Sequence, residues 1–427
     1  MAAPKIPVNS VSNSVAQEQN ITPWDVSGEI GQDGKVKPIN YDKLVDQFGT
    51  KLIDDALLQR FEHVTGHKPH RLLRRGIVFS HRDLEVILDR YEKKDPFFIY
   101  TGRGPSSDVM HIGHMVPFEL TKWLSDVFEV PLVVMLTDDE KYLISSMDRS
   151  TEEYKRFARE NAKDIIAVGF NPERTFIFSD FDFMGGEFYR NVVQIAKRIS
   201  RGTADASFGF DSTTNIGKVH FTAIQALKYA KPPLIHARFL DGLQGPGSKM
   251  SASVESTAIY LSDSPKQTSK KINQRAFSGG QETVQEHRAK GGNPEVDISY
   301  RYLTFFLEDD EELQRIEQDY RSGKMLTGEI KKICADELTK FCVSFQERRA
   351  KVTDEILDQF MTPRPLICRG VRSDTILAAT EITIVLKDSS DAKDPGSKNQ
   401  AKKLEKLRLI EAKKVNKHGG KEDKVED

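Results

Sequence analysis

The stretch FFIYTGRGPSSDVMHIGHM, residues 97–115, decides the fold class of this 427-residue chain. Phe97 to Tyr100 read as a short buried strand, and Gly102, Gly104 and Pro105 end it in a turn. Ser106 or Ser107 then predicts a helix cap, because a side-chain hydroxyl satisfies the free N–H groups of a first turn. That helix would carry His111 and His114 at i and i+3 on one face. A helix start behind a glycine turn offers unpaired N–H groups and positive dipole to an anion. Phosphate is the expected anion.

Working outward, the alternation continues with a strand in VPLVVMLT from Val130 and a helix from Glu152 to Val168. A strand, TFIFS, follows from Thr175, then a helix from about Gly186 to Ile199. Strands alternating with helices of this length predict an α/β fold, a Rossmann-like parallel-sheet domain. Ligands on such sheets bind at the carboxyl ends of the strands. The turn from Tyr100 to Ser107 and the TDDEKY stretch, Thr137 to Tyr142, both sit at such ends.

Upstream, two helices are expected, one around LIDDALLQRFEHV and one capped by Ser80. Downstream of PPLIHARF, the loop LQGPGSKMSASVES has small residues around an isolated Lys249. From Ser264 to Met361 the pattern turns helical, in three runs that predict an α-helical domain. The expected division is a disordered arm over 1–22, an appended helical region over 23–95, the α/β domain over 96–263, the α-helical domain over 264–363, and an irregular tail over 364–427. That tail includes a strand-like run, TILAATEITIVL, and over residues 393–427 it carries 11 Lys/Arg against 7 Asp/Glu. It reads either as a solvated segment or as a helical contact to an RNA backbone.

Lys and Arg number 63 against 64 Asp and Glu, so bulk charge names no partner. A neutral balance still permits a local basic face for nucleic acid. Cys334, Cys342 and Cys368 fall in no C-x-x-C spacing, which argues against a disulfide framework and a structural zinc site. Neither a signal-peptide core nor a membrane-length apolar run is present, so a cytoplasmic protein without a membrane partner is expected. GEIGQDGKV lacks the spacing of a Walker A box, and Gly102-x-Gly104 leads to Ser107 where a dinucleotide fingerprint needs glycine. Two helical histidines alone are ordinary packing residues. Their place after the first strand of a sheet, together with a distant KMSAS loop, marks a site.

HIGH and KMSAS resemble the two signature motifs of class I aminoacyl-tRNA synthetases. YTGRGPSS, TDDEKY, ENAKDIIAVGF, TFIFSD and AFSGG further resemble the tryptophanyl-tRNA synthetase family of the eukaryotic cytoplasmic type, from about Pro23 to Pro363. The resemblance implies attack of a tryptophan carboxylate on the α-phosphorus of ATP, loss of pyrophosphate, and transfer to tRNA(Trp). Catalysis of that kind is positioning plus stabilisation of phosphate charge. It implies His111, His114 and Lys249 as catalytic residues. On the ATP side it adds Arg103, Gly104, Gly113, Met250 and Ser251, with Mg2+ accompanying ATP and no structural metal. Tyr100, Gly102, Glu140 and Gln225 would serve L-tryptophan, and a homodimer is the family's expected assembly.

Three departures bear on that expectation. The family has a glutamine where this chain has Met135, and a thioether is a weaker acceptor for an indole N–H. DSTTN, Asp211 to Asn215, differs from the more acidic, cysteine-bearing stretch of the family. Between Gln225 and LKYAKPPLIH the family has a strand, a loop with Ala-Ile-Asp-Gln-Asp, and a helix, all missing here. The expected consequence is a shortened sheet, a missing wall of the tryptophan pocket, and an impaired or non-catalytic chain as the alternative to an active ligase.

Overall fold

The computed structural model describes residues 49–145, 147–197, 232–250 and 254–372, with a few isolated positions besides. Gln225, Ser251, DSTTN, the residues before Asn20 and those beyond Arg372 lie outside the described residues. Residues 1–369 form one compact unit and 370–427 a second. All the elements that shape the site belong to the first.

The chain enters through β1 (Lys51–Leu52), α1 (Asp55–Thr65), α2 (Arg71–Arg74), β2 (Val78–Arg82) and α3 (Leu84–Glu92). Asp54 caps α1 by accepting from Leu57 N at 2.8 Å, and Gly66 ends it in the left-handed region at φ 72°. Ser80 does not cap a helix. It lies in β2, a largely buried strand between β1 and β6 (Leu234–Ala237), and the helix starts after Asp83 instead.

The central sheet has three described strands in the order β3 (Ile99–Arg103), β4 (Leu132–Leu136), β5 (Thr175–Ser179), all parallel. Their connections are α4 (Met115–Phe128), α5 (Asp138–Ile144) and α6 (Thr151–Ile166), and α7 (Asp180–Phe183) and α8 (Gly186–Ala196) follow β5. Leu132, Val134, Leu136 and Ile177 are fully buried, as strands covered on one face by amphipathic helices require. β3 starts two residues later than its apolar run and extends through Gly102 and Arg103, which pair with Met135 and Leu136. Among the described residues β3 is an edge, and Phe98 and Tyr100 are 62% and 53% exposed there.

The helix expected after Ser106 starts only at Met115. Ser107 Oγ donates to Val109 O at 3.0 Å rather than capping. The reason is a long-range pairing: Ile112 N donates to Ile259 O and Leu261 N to Met110 O, both at 3.0 Å. Those bonds tie down Met110 and Ile112 and leave His111 between them extended, and a single 3-10 turn, Ile112–His114, leads into α4.

After the KMSAS loop come α9 (Pro265–Arg275), α10 (Val284–Lys290), α11 (Ile298–Phe306), α12 (Asp310–Arg321), α13 (Thr327–Arg349) and α14 (Asp354–Met361). Ser264 and Gln267 form a capping box at α9, with Pro265 at its first position. The run DISYRYLTFFLEDDEELQRIEQDYRSG divides into α11 and α12, because Asp309 accepts from Glu311 N and Glu312 N and starts a new helix.

Candidate active site

The site lies at the carboxyl ends of β3, β4 and β5, and the pleat sorts its side chains. Register puts Tyr100, Val133 and Phe176 in one row and Gly102, Met135 and Phe178 in the next. Tyr100, Met135 and both phenylalanines therefore share a face. Phe183 and Phe188 extend it, with ring centroids 4.9 and 6.4 Å from Phe178. Tyr100 Oη donates to Met135 Sδ at 3.5 Å. Sequence reading missed this aromatic floor. Its signal was the alternating phenylalanines of TFIFSDFDF, which look like strand patterning alone.

Arg103 leaves β3 toward α6. Its Nε donates to Asn161 Oδ1 at 3.2 Å, and its Nη2 is buried without a partner. Burial lowers the guanidinium pKa to about 10, which still leaves it charged at neutral pH. Asn161, fully buried, also donates to Ser107 O at 2.7 Å and Phe157 O at 2.9 Å. It thus fixes the arginine and the glycine turn together. A polar residue in the apolar register of α6 was the signal that could have found it.

The His111 and His114 rings stack with centroids 3.5 Å apart. His111 N donates to His114 Nδ1 at 3.2 Å, so a neutral His114 carries its proton on Nε2. Burial, then the charge of Arg103, lowers both imidazole pKa values, that of His111 to about 3 with Lys249 adding to the effect. At neutral pH both rings are uncharged, each with one N–H to donate. A Cβ on Gly113 would lie 3.2 Å from the His111 ring, so glycine spares that imidazole from crowding, and 3.4 Å from Met250 Sδ, which puts the two signature segments side by side. At Gly104 the end of the Lys141 side chain fills the space a Cβ would take, so a larger residue there would have to displace that flexible lysine.

Lys249 is exposed and pairs across to Asp241, while Met250 is buried. Asp241 anchors the loop: Gly247 N donates to its Oδ1 at 2.7 Å, Arg301 Nε to its Oδ2 at 2.7 Å, and Tyr302 Oη to its carbonyl at 2.8 Å. At the end of β4, Glu140 accepts from Thr137 Oγ1 at 2.7 Å. Asp138 ties two strand ends together, accepting from Ser179 Oγ at 2.5 Å and Phe181 N at 3.1 Å. Of the described site residues, Tyr100 and Gly102 lie on the strand rows of the aromatic floor, Glu140 stands at the end of β4, and Arg103, His111, Gly113, His114, Lys249 and Met250 gather around the paired signature segments. No group of three or more His, Cys, Asp or Glu side chains among the described residues is placed to hold a metal ion.

A family profile described as tRNA synthetases class I (W and Y) matches residues 92–203 and 208–342. This chain belongs to that family. The cytoplasmic tryptophan–tRNA ligase of Saccharomyces cerevisiae is 48% identical over 401 residues, covering 84% of this chain and 93% of that protein. The human cytoplasmic tryptophan–tRNA ligase is 47% identical, with 82% of each chain covered. Among solved structures, the tryptophanyl-tRNA synthetase from Giardia lamblia superposes with a TM-score of 0.72 at 37% identity, covering 76% of this chain and 96% of that one. The class I synthetase fold is thus the fold of this family member. Since 84% of 427 residues is about 359, the 401 residues matched to the yeast relative exceed what this chain supplies by about 42.

Proposed function

We propose that the chain is a cytoplasmic tryptophan–tRNA ligase that joins L-tryptophan to tRNA(Trp) in two steps. The tryptophan carboxylate attacks the α-phosphorus of Mg2+-ATP, the bond to the β-phosphate oxygen breaks, and pyrophosphate leaves. The tRNA terminal hydroxyl then displaces AMP from the tryptophanyl-adenylate. The observation that carries this reading is the meeting of the two signature segments, with neutral imidazole donors, the unpartnered Nη2 of Arg103 and Lys249 gathered beside one glycine turn. Such preorganised donors stabilise charge that builds on phosphate oxygens during displacement. Tyr100, Met135 and the phenylalanines would receive the indole, and Glu140 its ammonium end. Gln225 and Ser251 keep their roles in this proposal on resemblance alone. So do the homodimer and the division into an α/β domain over 96–263 and a helical domain over 264–363.

A second reading is a catalytically impaired or non-catalytic chain that keeps its ATP or tRNA contacts. It is supported by the shortfall of about 42 residues against the yeast relative, roughly the size of a strand plus crossover. Tryptophan-dependent exchange of pyrophosphate into ATP tests both. Exchange specific to tryptophan supports the ligase, slow and unselective exchange supports the impaired chain, and no exchange with any amino acid by a folded chain overturns the ligase in favour of a non-catalytic chain.

A further inference from the structure

Asp180, the first residue of α7, is fully buried, and neither carboxylate oxygen has a hydrogen-bond partner. The groups facing it deepen the problem. Asp138, Asp139 and Glu140 at the start of α5 all press negative charge on it. On β3 its field reaches the Tyr100 hydroxyl, which already donates to Met135. Lys155 of α6 pairs with Asp182 at 2.7 Å, and Lys141 of α5 lies 3.5 Å from Glu140. A buried carboxylate ion without a donor and among like charges is not sustainable, and such a group takes up a proton instead.

The destination of that proton follows from what each neighbour already holds. Asp138 is occupied by Ser179 Oγ, Phe181 N and Asp139 N. Asp139 accepts from Glu140 N through Oδ1 at 2.6 Å and lies within hydrogen-bonding reach of Asp180. Two facing carboxylates form no bond until one of them carries a proton, which accounts for the orphaned oxygens.

We propose that Asp180 and Asp139 share one proton at neutral pH, with Asp180 a neutral acid donating to Asp139, and that the pair is a positioning device for the first turn of α5. That turn carries Glu140, so its bearing on tryptophan rests on the function proposed above. Burial first, then Asp139, Asp138 and Glu140, raises the Asp180 pKa to about 9. A raised carboxyl pKa means that the folded chain keeps a proton the unfolded chain releases. Its stabilising contribution is complete below about pH 4 and is lost as pH rises toward about 9.

The experiment compares the full wild-type chain with Asp180→Asn and Asp139→Asn by thermal unfolding from pH 6 to 9. An asparagine at 180 imitates the neutral acid, so the midpoint of Asp180→Asn should fall several degrees less over that range, and Asp139→Asn should flatten the slope as well. Parallel slopes in all three overturn the shared proton. Tryptophan binding by calorimetry at pH 7 tests the positioning role. Asp180→Leu should weaken it about tenfold, with Asp180→Asn recovering most of the loss, and equal affinities in wild type and Asp180→Leu overturn that role. Failure of the wild-type chain to bind tryptophan contradicts the proposed function, while the unfolding slopes still decide the proton.

Discussion

Lys271 Nζ donates to both carboxylate oxygens of Asp263, at 2.9 and 2.7 Å, and each side chain is only 5% exposed. The ammonium also stands 4.3 Å over the Tyr260 ring, and Gln346 of α13 donates to Leu261 O and Asp263 O at 2.7 and 3.0 Å. Tyr260 and its neighbours are the residues that tie down Met110 and Ile112 and leave His111 extended. Helices α9 and α13 thus grip the signature histidines through one short strand of backbone.

Breaking that grip should be costly in two ways. Lys271→Met leaves a buried carboxylate unpaired, with an expected loss of roughly 3–5 kcal/mol in chemical unfolding. Below its unfolding temperature, the variant should show a raised KM for ATP, with Lys271→Arg recovering part of it. A folded Lys271→Met with unchanged ATP kinetics would show that the grip is structural only.

Arg103→Lys keeps a charge but loses the fork that binds Asn161 and leaves Nη2 free. The expected outcome is a rise of about tenfold in the KM for ATP, or about 1.4 kcal/mol, with a smaller change for tryptophan. Pyrophosphate exchange at varied ATP and varied tryptophan separates the two.

The neutral histidines predict a definite acid response. His111 has its pKa lowered to about 3 in the folded chain, so the unfolded chain binds the proton first as pH falls. Stability from this group is complete above about pH 6.5 and declines as pH drops toward about 3, by a few kcal/mol at most. His111→Gln should therefore lose less stability than wild type between pH 7 and 5 in urea unfolding, though it is the less active enzyme.

Met135→Gln replaces the thioether that Tyr100 Oη now donates to with an amide that can accept from an indole N–H. Preference for tryptophan over phenylalanine in pyrophosphate exchange should rise about tenfold, worth roughly 1–2 kcal/mol. Inserting the family's segment between Gln225 and Leu227 should raise the tryptophan rate itself. A wild-type chain already turning over at about 1 per second or faster would show that the shortened stretch is harmless.

The legible parts of the fold are those decided locally. TFIFS occupies β5 from Thr175 to Ser179 as read, and the interior apolar runs gave β4 and α6 within a few residues. Ser80 and Ser106 misled because a hydroxyl before an apolar run looks like a cap, whereas partners far along the chain, β6 and residues 259–261, hold those segments extended. The signature residues could be named from their motifs. Of their supports, Asn161 left a trace as a polar residue in the apolar register of α6, whereas Asp241 and Asp263 left none, since they act through atoms that only the folded chain brings near.

The seat of Met250 Sδ, 3.4 Å from where a Cβ on Gly113 would stand, also shields a redox-sensitive atom. The thioether is only 5% exposed, so peroxide should reach its sulfur far more slowly than that of an exposed methionine such as Met147. Oxidation of Met250, followed by mass spectrometry, then reads how well that sulfur is shielded, and bound ATP should slow it further.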